Sequence, residues 1–386
     1  MLIREPIGYL SRGASRAGWV WVVRTSEGAG GSDVAIVGAG IVGLNIAYRL
    51  SRLGRKVVVL DKEDGPGMGV TAGQATVIHV VQLPFGSLKS RLARRGNVMY
   101  DDLCRELGVR LDRMPALLLA RRRLSLPLLV VAFAYLRLEL GKEFRVRLMR
   151  GGALRRIEPQ LAGGVAGGLV IDGYGTVDVQ ALVSRLREAS AAQGAVFMFG
   201  CRVTSAETSE GGTTLKTTCG EVRARLVVNA AGLYSDEVAR ALGRDLGGLE
   251  PGLGVMAVYS DLPLRCIVAP LPLGVGSRTK GGALIPATDG TTIVGPTLRV
   301  TGSKEDRAHT AEDLAVLAAK FGPLLSAKGK ILRAYAGVRP LSPTRDFVID
   351  FNREKGVVNL VGIESPGLTA APAIAEMVER MIGGLR

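Results

Sequence analysis

Histidine, cysteine and aromatic side chains are scarce in this chain of 386 residues, and acids are outnumbered by bases. There are two histidines, His79 and His309, and four cysteines, Cys104, Cys201, Cys219 and Cys266, with no CxxC spacing and no Cys/His cluster. That argues against a metal or iron–sulfur centre and makes reduced thiols in a cytoplasmic setting the expectation. Phe, Trp and Tyr make up only 5%, and the arginines are dispersed as Arg94-Arg95, Arg121-Arg122-Arg123 and Arg155-Arg156, so the interleaved aromatic and basic platform of an RNA-binding surface is missing. No run approaches the roughly 18 uninterrupted apolar residues of a membrane-spanning helix. The nearest, Leu126 to Leu136, is broken by Pro127 and flanked by Arg123 and Arg137. Asn and Gln are few where Arg is plentiful, a bias compatible with a thermophile.

What is present is an ordinary globular balance, 47% hydrophobic and 22% charged, in a chain long enough for two domains and a large core. The formal charge of +15 favours anionic partners: phosphorylated or carboxylated substrates, an acidic membrane surface, or nucleic acid, the last disfavoured by the missing aromatics. Most of the arginines read as a solvated basic surface. Residues 1–32 hold one apolar patch, Trp19-Val-Trp-Val-Val23, among Arg, Gly and Ser. Their order fits no cleavable signal, so they are expected to be a disordered extension, an overextended start codon being one explanation.

The most informative stretch is Asp33-Val-Ala-Ile-Val-Gly-Ala-Gly-Ile-Val-Gly-Leu-Asn-Ile-Ala-Tyr-Arg-Leu50, followed by Arg55-Lys-Val-Val-Val-Leu-Asp61. An apolar strand, a glycine-rich turn, an amphipathic helix and a second strand ending on an acid form a dinucleotide-binding crossover. Gly38 permits the tight turn, Gly40 admits a pyrophosphate, Gly43 allows close packing of helix on strand, and Asp61 is placed to accept from a ribose hydroxyl.

Further on, Gly65–Gln74 is too glycine-rich for regular structure and is expected beside the nucleotide, and Arg91 to Leu107 reads as a helix. Asp178 looks like the N-cap of a helix ending near Gly194. Strands are expected at 195–199 and 202–206, with a hairpin at 213–218 and 221–228. A second glycine turn follows Ala224–Gly232, with a helix from about Ser235. Between Glu250 and Pro340, short apolar runs broken by Pro and Gly have the texture of an antiparallel sheet. The strand Val357–Val361, the turn Gly362–Gly367 and a helix from Thr369 close the chain. A second strand–glycine–helix unit so far from the first points to a flavin, with the last helix N-terminus facing the ring, or else to a merely structural βα unit.

Four segments carry a family resemblance: Val34–Gly43, Asn229-Ala-Ala-Gly-Leu-Tyr-Ser-Asp236, Tyr335-Ala-Gly-Val-Arg-Pro340, and Gly362-Ile-Glu-Ser-Pro-Gly-Leu-Thr-Ala-Ala-Pro-Ala-Ile-Ala-Glu-Met377. From Asp33 onward the chain resembles the FAD-dependent D-amino-acid-oxidase-like superfamily, and within it the glycerol-3-phosphate dehydrogenases and oxidases and the L-2-hydroxyglutarate dehydrogenases. The resemblance implies an α/β fold, α+β overall: a Rossmann-like FAD-binding domain from discontinuous segments (33–90, 160–248 and 341–386) and an antiparallel β-sheet substrate domain (91–159 and 249–340). It implies FAD held by Gly38, Gly40, Gly43, Asp61, Lys62, Thr71, Val203, Ala231 and Gly232, with Gly367, Leu368 and Thr369 beside the ring. His79 falls on the loop by the ring, Arg339 at the position that grips the anionic end of substrate, and Lys280 where a second basic contact is found. Two departures stand out: Ala75-Thr76 and Val80-Val81 replace the Asn-Ser-Gly and the small residues usual around that histidine, and the cysteine-rich domain appended to some of these dehydrogenases is absent.

The implied reaction is hydride transfer from a small anionic secondary alcohol to flavin N5, with sn-glycerol 3-phosphate going to dihydroxyacetone phosphate. L-2-hydroxyglutarate is the alternative substrate, and amine or amino-acid oxidation the alternative chemistry. A flavoprotein that binds RNA is a third class, suggested by charge alone. His79, with an unperturbed pKa near 6.5, is the candidate base, or else only packs near the ring. Arg339 offers a planar fork for phosphate or carboxylate, or else forms an ion pair with Asp346 or Asp350. Leu126–Leu136 is expected to be an ordinary buried helix; the other readings are an anionic membrane at the inner face of the cell or a partner subunit passing electrons to quinone.

Overall fold

The computed structural model describes residues 31–271 and 281–384, so Lys280 and nearly all of the expected 1–32 extension lie outside the described residues. Two sheets frame the protein. In the first, Ser32–Val37 pairs in parallel with Val57–Leu60 on one side and Gly220–Asn229 on the other. Val357–Val361 and Val196–Met198 extend the parallel set, Val348–Asn352 adds an antiparallel edge, and the hairpin Val203–Ser209/Gly212–Thr217 folds back on Gly220–Asn229. These parallel strands are continuous apolar runs because helices cover them. Ile41–Arg52 and Gly367–Ile382 pack on Val34, Ile36, Val59, Val228 and Val358 in one buried cluster. The α/β layer is thus assembled from widely separated stretches of chain, as expected.

Local signals set several boundaries. Asp178 caps Val179–Ala192 by accepting from Ala181 N at 3.0 Å, and Ser87 caps Leu88–Leu107 by accepting from Ser90 N at 3.2 Å, starting that helix three residues before the expected Arg91. The Gly65–Gln74 loop is irregular apart from the 3-10 turn Val70–Gly73.

The second sheet has ten strands among the described residues. Its longest pairs, Leu111–Ala120 with Gly167–Val177 and Glu250–Tyr259 with Ile331–Leu341, are antiparallel, but Ile267–Pro270 runs parallel to Leu111–Ala120. The sheet is therefore mixed, not antiparallel. Composition signals short strands, but the direction of a neighbour some 150 positions away is set by the route of the chain, which no local pattern records. Val77–Ile78 and Gly167–Val177, read from sequence with the nucleotide domain, are strands of this sheet. The helix Leu88–Leu107, read with the substrate domain from Arg91 on, packs through Tyr100 and Cys104 against the helices of the first layer. Leu126–Leu140 is buried along one side only: Leu129, Leu136 and Leu140 are covered, while Leu128, Val131, Tyr135 and Leu138 are exposed, so the expectation of an ordinary buried helix fails.

A buried polar pair ties the parallel strands to the turn that follows them. Asn229 Nδ2 donates to Ser235 O at 2.8 Å and to Asn359 Oδ1 at 3.0 Å, and Asn229 Oδ1 accepts from Ala231 N at 3.2 Å. Replacing Asn229 by Leu strands these groups, each at about 1–3 kcal/mol. Denaturant unfolding of Asn229→Leu should show a loss of at least that size, and an unchanged midpoint would refute it.

Candidate active site

A cavity of about 1500 Å³ runs between the two sheets. It exceeds the roughly 300–1,000 Å³ of ordinary ligand pockets, which suits a large cofactor with room for substrate. Gly38, Gly40, Asp61, Lys62, Thr71, Val203, Ala231, Gly232, Gly367, Leu368, His79 and Arg339 all line it. Gly43 and Thr369 lie behind its wall.

At the nucleotide end Gly38 has φ +110°, and a Cβ there would sit 2.3 Å from Ala230 O. A Cβ on Gly43 would sit 1.9 Å from Gly38 O, so helix and turn touch backbone to backbone. Asp61 accepts from Ala39 N at 2.6 Å and Glu63 N at 2.9 Å, and burial raises its pKa. Thr71 Oγ1 accepts from Ile41 N at 3.0 Å, fixing the first turn of the helix. Lys62 is engaged by Glu63 and Glu305, at 2.6 and 3.1 Å, and lies over the Tyr234 ring.

Beside Val203 the structure departs from expectation. Cys201 and Cys219, 18 positions apart, form a disulfide with Cα atoms 5.4 Å apart, while Cys104 and Cys266 are buried and free. The hairpin, not sequence proximity, brings the two sulfurs together, so the expectation of reduced thiols fails at this pair.

At the other end Gly367–Ile382 points its N-terminus at the cavity through Gly367 and Leu368. Gly367 N donates to Glu364 O and Ala370 N to Pro366 O, so of the first-turn N–H groups those of Leu368 and Thr369 are the ones with no acceptor among the described residues. Thr369 does something other than expected. It is fully buried, its Oγ1 accepts from His79 N at 3.0 Å and donates to Val77 O at 3.3 Å, and it thereby pins the histidine's strand to the helix. Asn97 Nδ2 donates to His79 O at 2.8 Å, and the Tyr174 ring stands edge-on to the imidazole at 6.2 Å. The imidazole nitrogens hydrogen-bond to no described residue. Burial, with the Arg339 charge nearby, lowers the His79 pKa to about 4, well below the value of about 6.5 assumed from sequence.

Arg339 belongs to Ile331–Leu341, where Tyr335, Gly337 and Arg339 share one face by the alternation of a strand. Gly337 leaves a gap on that face, and Gly73 fills it: a Cβ on Gly73 would sit 2.4 Å from Gly337 Cα. Tyr335 reaches past that contact to donate to Gln74 O at 2.9 Å. The Arg339 guanidinium lies against Gly254, 3.3 Å from where a Cβ would stand, and burial lowers its pKa while Glu364 opposes that. The ion pairs weighed from sequence are not made. Asp346 accepts from Leu88, Lys89 and Phe347 N–H groups, and Asp350 pairs with Arg244 at 2.7 Å. No described carboxylate bridges to Arg339.

Sequence reasoning missed Tyr335, Tyr174, Asn97 and Thr76. Thr76 lines the cavity with φ +60°, unusual for a β-branched residue, and its hydroxyl is buried with no hydrogen-bond partner. Its place three residues before His79 was the available signal. The second sheet also gives the cavity an apolar stretch of wall, in which Ala116, Leu118, Ile267, Ala269, Ile285 and Ile293 come from its strands, with Asp289 and Arg333 among the charged residues that line the same cavity.

These residues fit FAD. A glycine cradle, the Asp61 carboxylate, a helix N-terminus and an orphaned hydroxyl border a single cavity, and together they would hold the adenosine, pyrophosphate and ring portions. Gly43→Val has no room to be absorbed, because the contact is with a main-chain carbonyl. The purified variant should lose at least 90% of its flavin absorbance relative to wild type (an order-of-magnitude expectation for overpacking of about 1–3 kcal/mol); full retention of the cofactor would refute the cradle.

Comparison with known proteins agrees with this geometry. The model of the family described as FAD dependent oxidoreductase (DAO) matches residues 33–381. The chain is similar to a glycerol 3-phosphate dehydrogenase of Caloramator mitchellensis, with 28% identity over 363 residues, covering 89% of this chain and 72% of that one. It is also similar to the mitochondrial L-2-hydroxyglutarate dehydrogenase of Arabidopsis thaliana, with 28% identity over 412 residues and coverage of 90% and 82%. Among solved structures, reduced L-alpha-glycerophosphate oxidase from Mycoplasma pneumoniae with FAD bound superposes with a TM-score of 0.84 at 24% identity, covering 92% of this chain and 95% of that one. The match to the family spans both sheets and the whole cavity, and the chain belongs to the DAO family of FAD-dependent oxidoreductases.

Proposed function

We propose that this enzyme oxidises a small anionic secondary alcohol, sn-glycerol 3-phosphate to dihydroxyacetone phosphate. The observation that carries the reading is Arg339: a partly buried cation lining the cavity near His79, with no ion-pair partner among the described residues. A partly buried charge is costly unless something neutralises it. A bound phosphate or carboxylate does so, and the guanidinium fork matches either. The names of the Caloramator and Mycoplasma relatives favour the phosphate; that of the Arabidopsis relative keeps L-2-hydroxyglutarate as the second candidate.

Bound FAD would supply a two-electron acceptor for the hydride of the alcohol carbon. The chain supplies position and a proton acceptor. Arg339 holds the anionic end, and the apolar strands exclude water from the reacting carbon. His79, neutral at working pH, accepts the hydroxyl proton at a ring nitrogen as the alcohol becomes a ketone. Burial is the larger cause of the depressed His79 pKa, and an anion between the two side chains cancels the smaller part that comes from the guanidinium charge. Lys280 is the proposed second contact to the anion.

Arg339→Gln should raise the substrate concentration for half-maximal anaerobic flavin reduction roughly 10- to 150-fold, the equivalent of about 1.5–3 kcal/mol for a charge-assisted hydrogen bond. Unchanged affinity would make the arginine structural.

A second expectation concerns pH. With its folded pKa near 4, His79 in the free enzyme stays unprotonated through the neutral range. The acid limb of kcat/KM should therefore fall far below pH 6.5, and His79→Gln should remove it while slowing flavin reduction roughly 10²- to 10⁴-fold. The same shift acts on folding. The unfolded histidine takes up a proton below about 6.5 that the folded one refuses, so His79 lowers stability as pH falls from there towards 4 and has no such effect above it. A limb that stays at 6.5, or survives the substitution, would remove His79 from the proton transfer.

A further inference from the structure

Apart from Arg137 and Glu139 in its last turn, the helix Leu126–Leu140 is apolar on every side, yet only one side meets protein. Leu129, Leu136 and Leu140 pack on Val146, Leu169 and Ile171. On the opposite side Leu124, Leu128, Val131, Tyr135 and Leu138 are 89%, 52%, 66%, 45% and 83% exposed. Their spacing of four, three, four and three residues makes one straight stripe along the helix and the turn before it, about 21 Å long at 1.5 Å per residue. The Phe85 ring meets Tyr135 edge-on at 5.4 Å and Leu83 is 52% exposed, so the patch widens beyond the helix. A helix apolar all round belongs in a core or against an apolar phase, and a contiguous patch of this kind marks an interaction surface.

The charges around the stripe decide what covers it. Arg121, Arg122 and Arg123 are exposed at its start, and Arg137 and Lys142 near its end. None of the five has an ion-pair partner among the described residues, and the nearby Glu143 is taken by Arg94 at 2.8 Å. A second copy of the chain would set the three start arginines on one another or on Arg137 and Lys142, with Glu139 the one carboxylate of the helix to offset these five cations. An anionic bilayer surface satisfies both ends and accepts the stripe between them. No described helix is long and apolar enough to cross a membrane, so the geometry is one of lying in the interface plane.

We propose that this stripe is an in-plane anchor for an anionic lipid bilayer, with Leu124, Leu128, Val131 and Leu138 in the acyl boundary and the arginines on lipid phosphates. The inner side of the same helix contributes Leu136 to the wall of the active-site cavity. The membrane-facing element is thus also an outer wall of the site, and docking brings the cavity's apolar side to the lipid.

The test is flotation of the FAD-loaded enzyme with vesicles of pure phosphatidylcholine and of equimolar phosphatidylcholine and phosphatidylglycerol. The enzyme should float with the mixed vesicles and not with the neutral ones, and concentrated salt should release it. Val131→Asp and Leu138→Asp, both at exposed positions, should abolish flotation while leaving flavin content and Tm unchanged. Neutralising Arg121, Arg122 and Arg123 to Gln should weaken partitioning roughly 100-fold, about fivefold per residue at about 1 kcal/mol each. No flotation with the mixed vesicles, or flotation that Val131→Asp leaves intact, overturns the proposal. So does a dimer in sedimentation velocity that Val131→Asp splits without any lipid binding, which would assign the stripe to a second copy.

Discussion

The arrangement of this protein depends on one place where two backbones touch with no side chain between them. Gly73, at the end of the loop leaving the nucleotide-binding strands, sits against Gly337 in the middle of a strand of the other sheet. Because alternate residues of a strand share a face, the gap at Gly337 is flanked by Tyr335 and Arg339, one tying down the loop and the other extending past it into the cavity. A methyl group at either glycine would push the sheets apart and move the cation away from His79. The contact thus sets the scale of the whole site.

Around that contact the electrostatics are consistent. Arg339 is partly buried without a carboxylate in contact, and its field adds to burial in keeping the neighbouring imidazole neutral. Each group is in an unfavourable state that an anion would relieve. A hydrogen bond to Thr369 and one from Asn97 hold the histidine by its backbone, leaving the ring without a hydrogen bond to any described residue. Rigidity is placed in the main chain, and reactivity in the side chain.

The parts legible in the sequence were those whose chemistry is local. Gly38, Gly40, Gly43 and Asp61 fall within one crossover, so their spacing carried both the strand–turn–helix and its placement at the cavity. Asp178 declared its helix because a cap bonds only a few residues ahead. Arg339 was found through a family segment and His79 by its position on the loop the resemblance puts beside the ring, and both line one cavity. What was not legible depends on residues distant along the chain. The parallel pairing of Ile267–Pro270, the membership of Val77–Ile78 in the second sheet and the turning of Thr369 toward that strand all follow from how separated segments meet. The pKa of His79 was misjudged for the same reason, since desolvation is a property of the surroundings. In Leu126–Leu140 the apolar content was plain, but which side would be covered was not.

The covalent link between Cys201 and Cys219 reaches beyond the architecture. Cys201 lies in the cavity wall and Cys219 is at the surface, so a reductant from solvent meets the surface sulfur first, and breaking the bond frees the stretch of wall beside Val203. A closure of this length takes about 3 kcal/mol out of the unfolded chain's freedom. An ordinary glutathione-buffered cell interior would return that freedom, whereas an oxidising compartment or the cytosol of a hyperthermophile would not. The redox habits of the host thereby become part of how firmly the enzyme keeps its nucleotide.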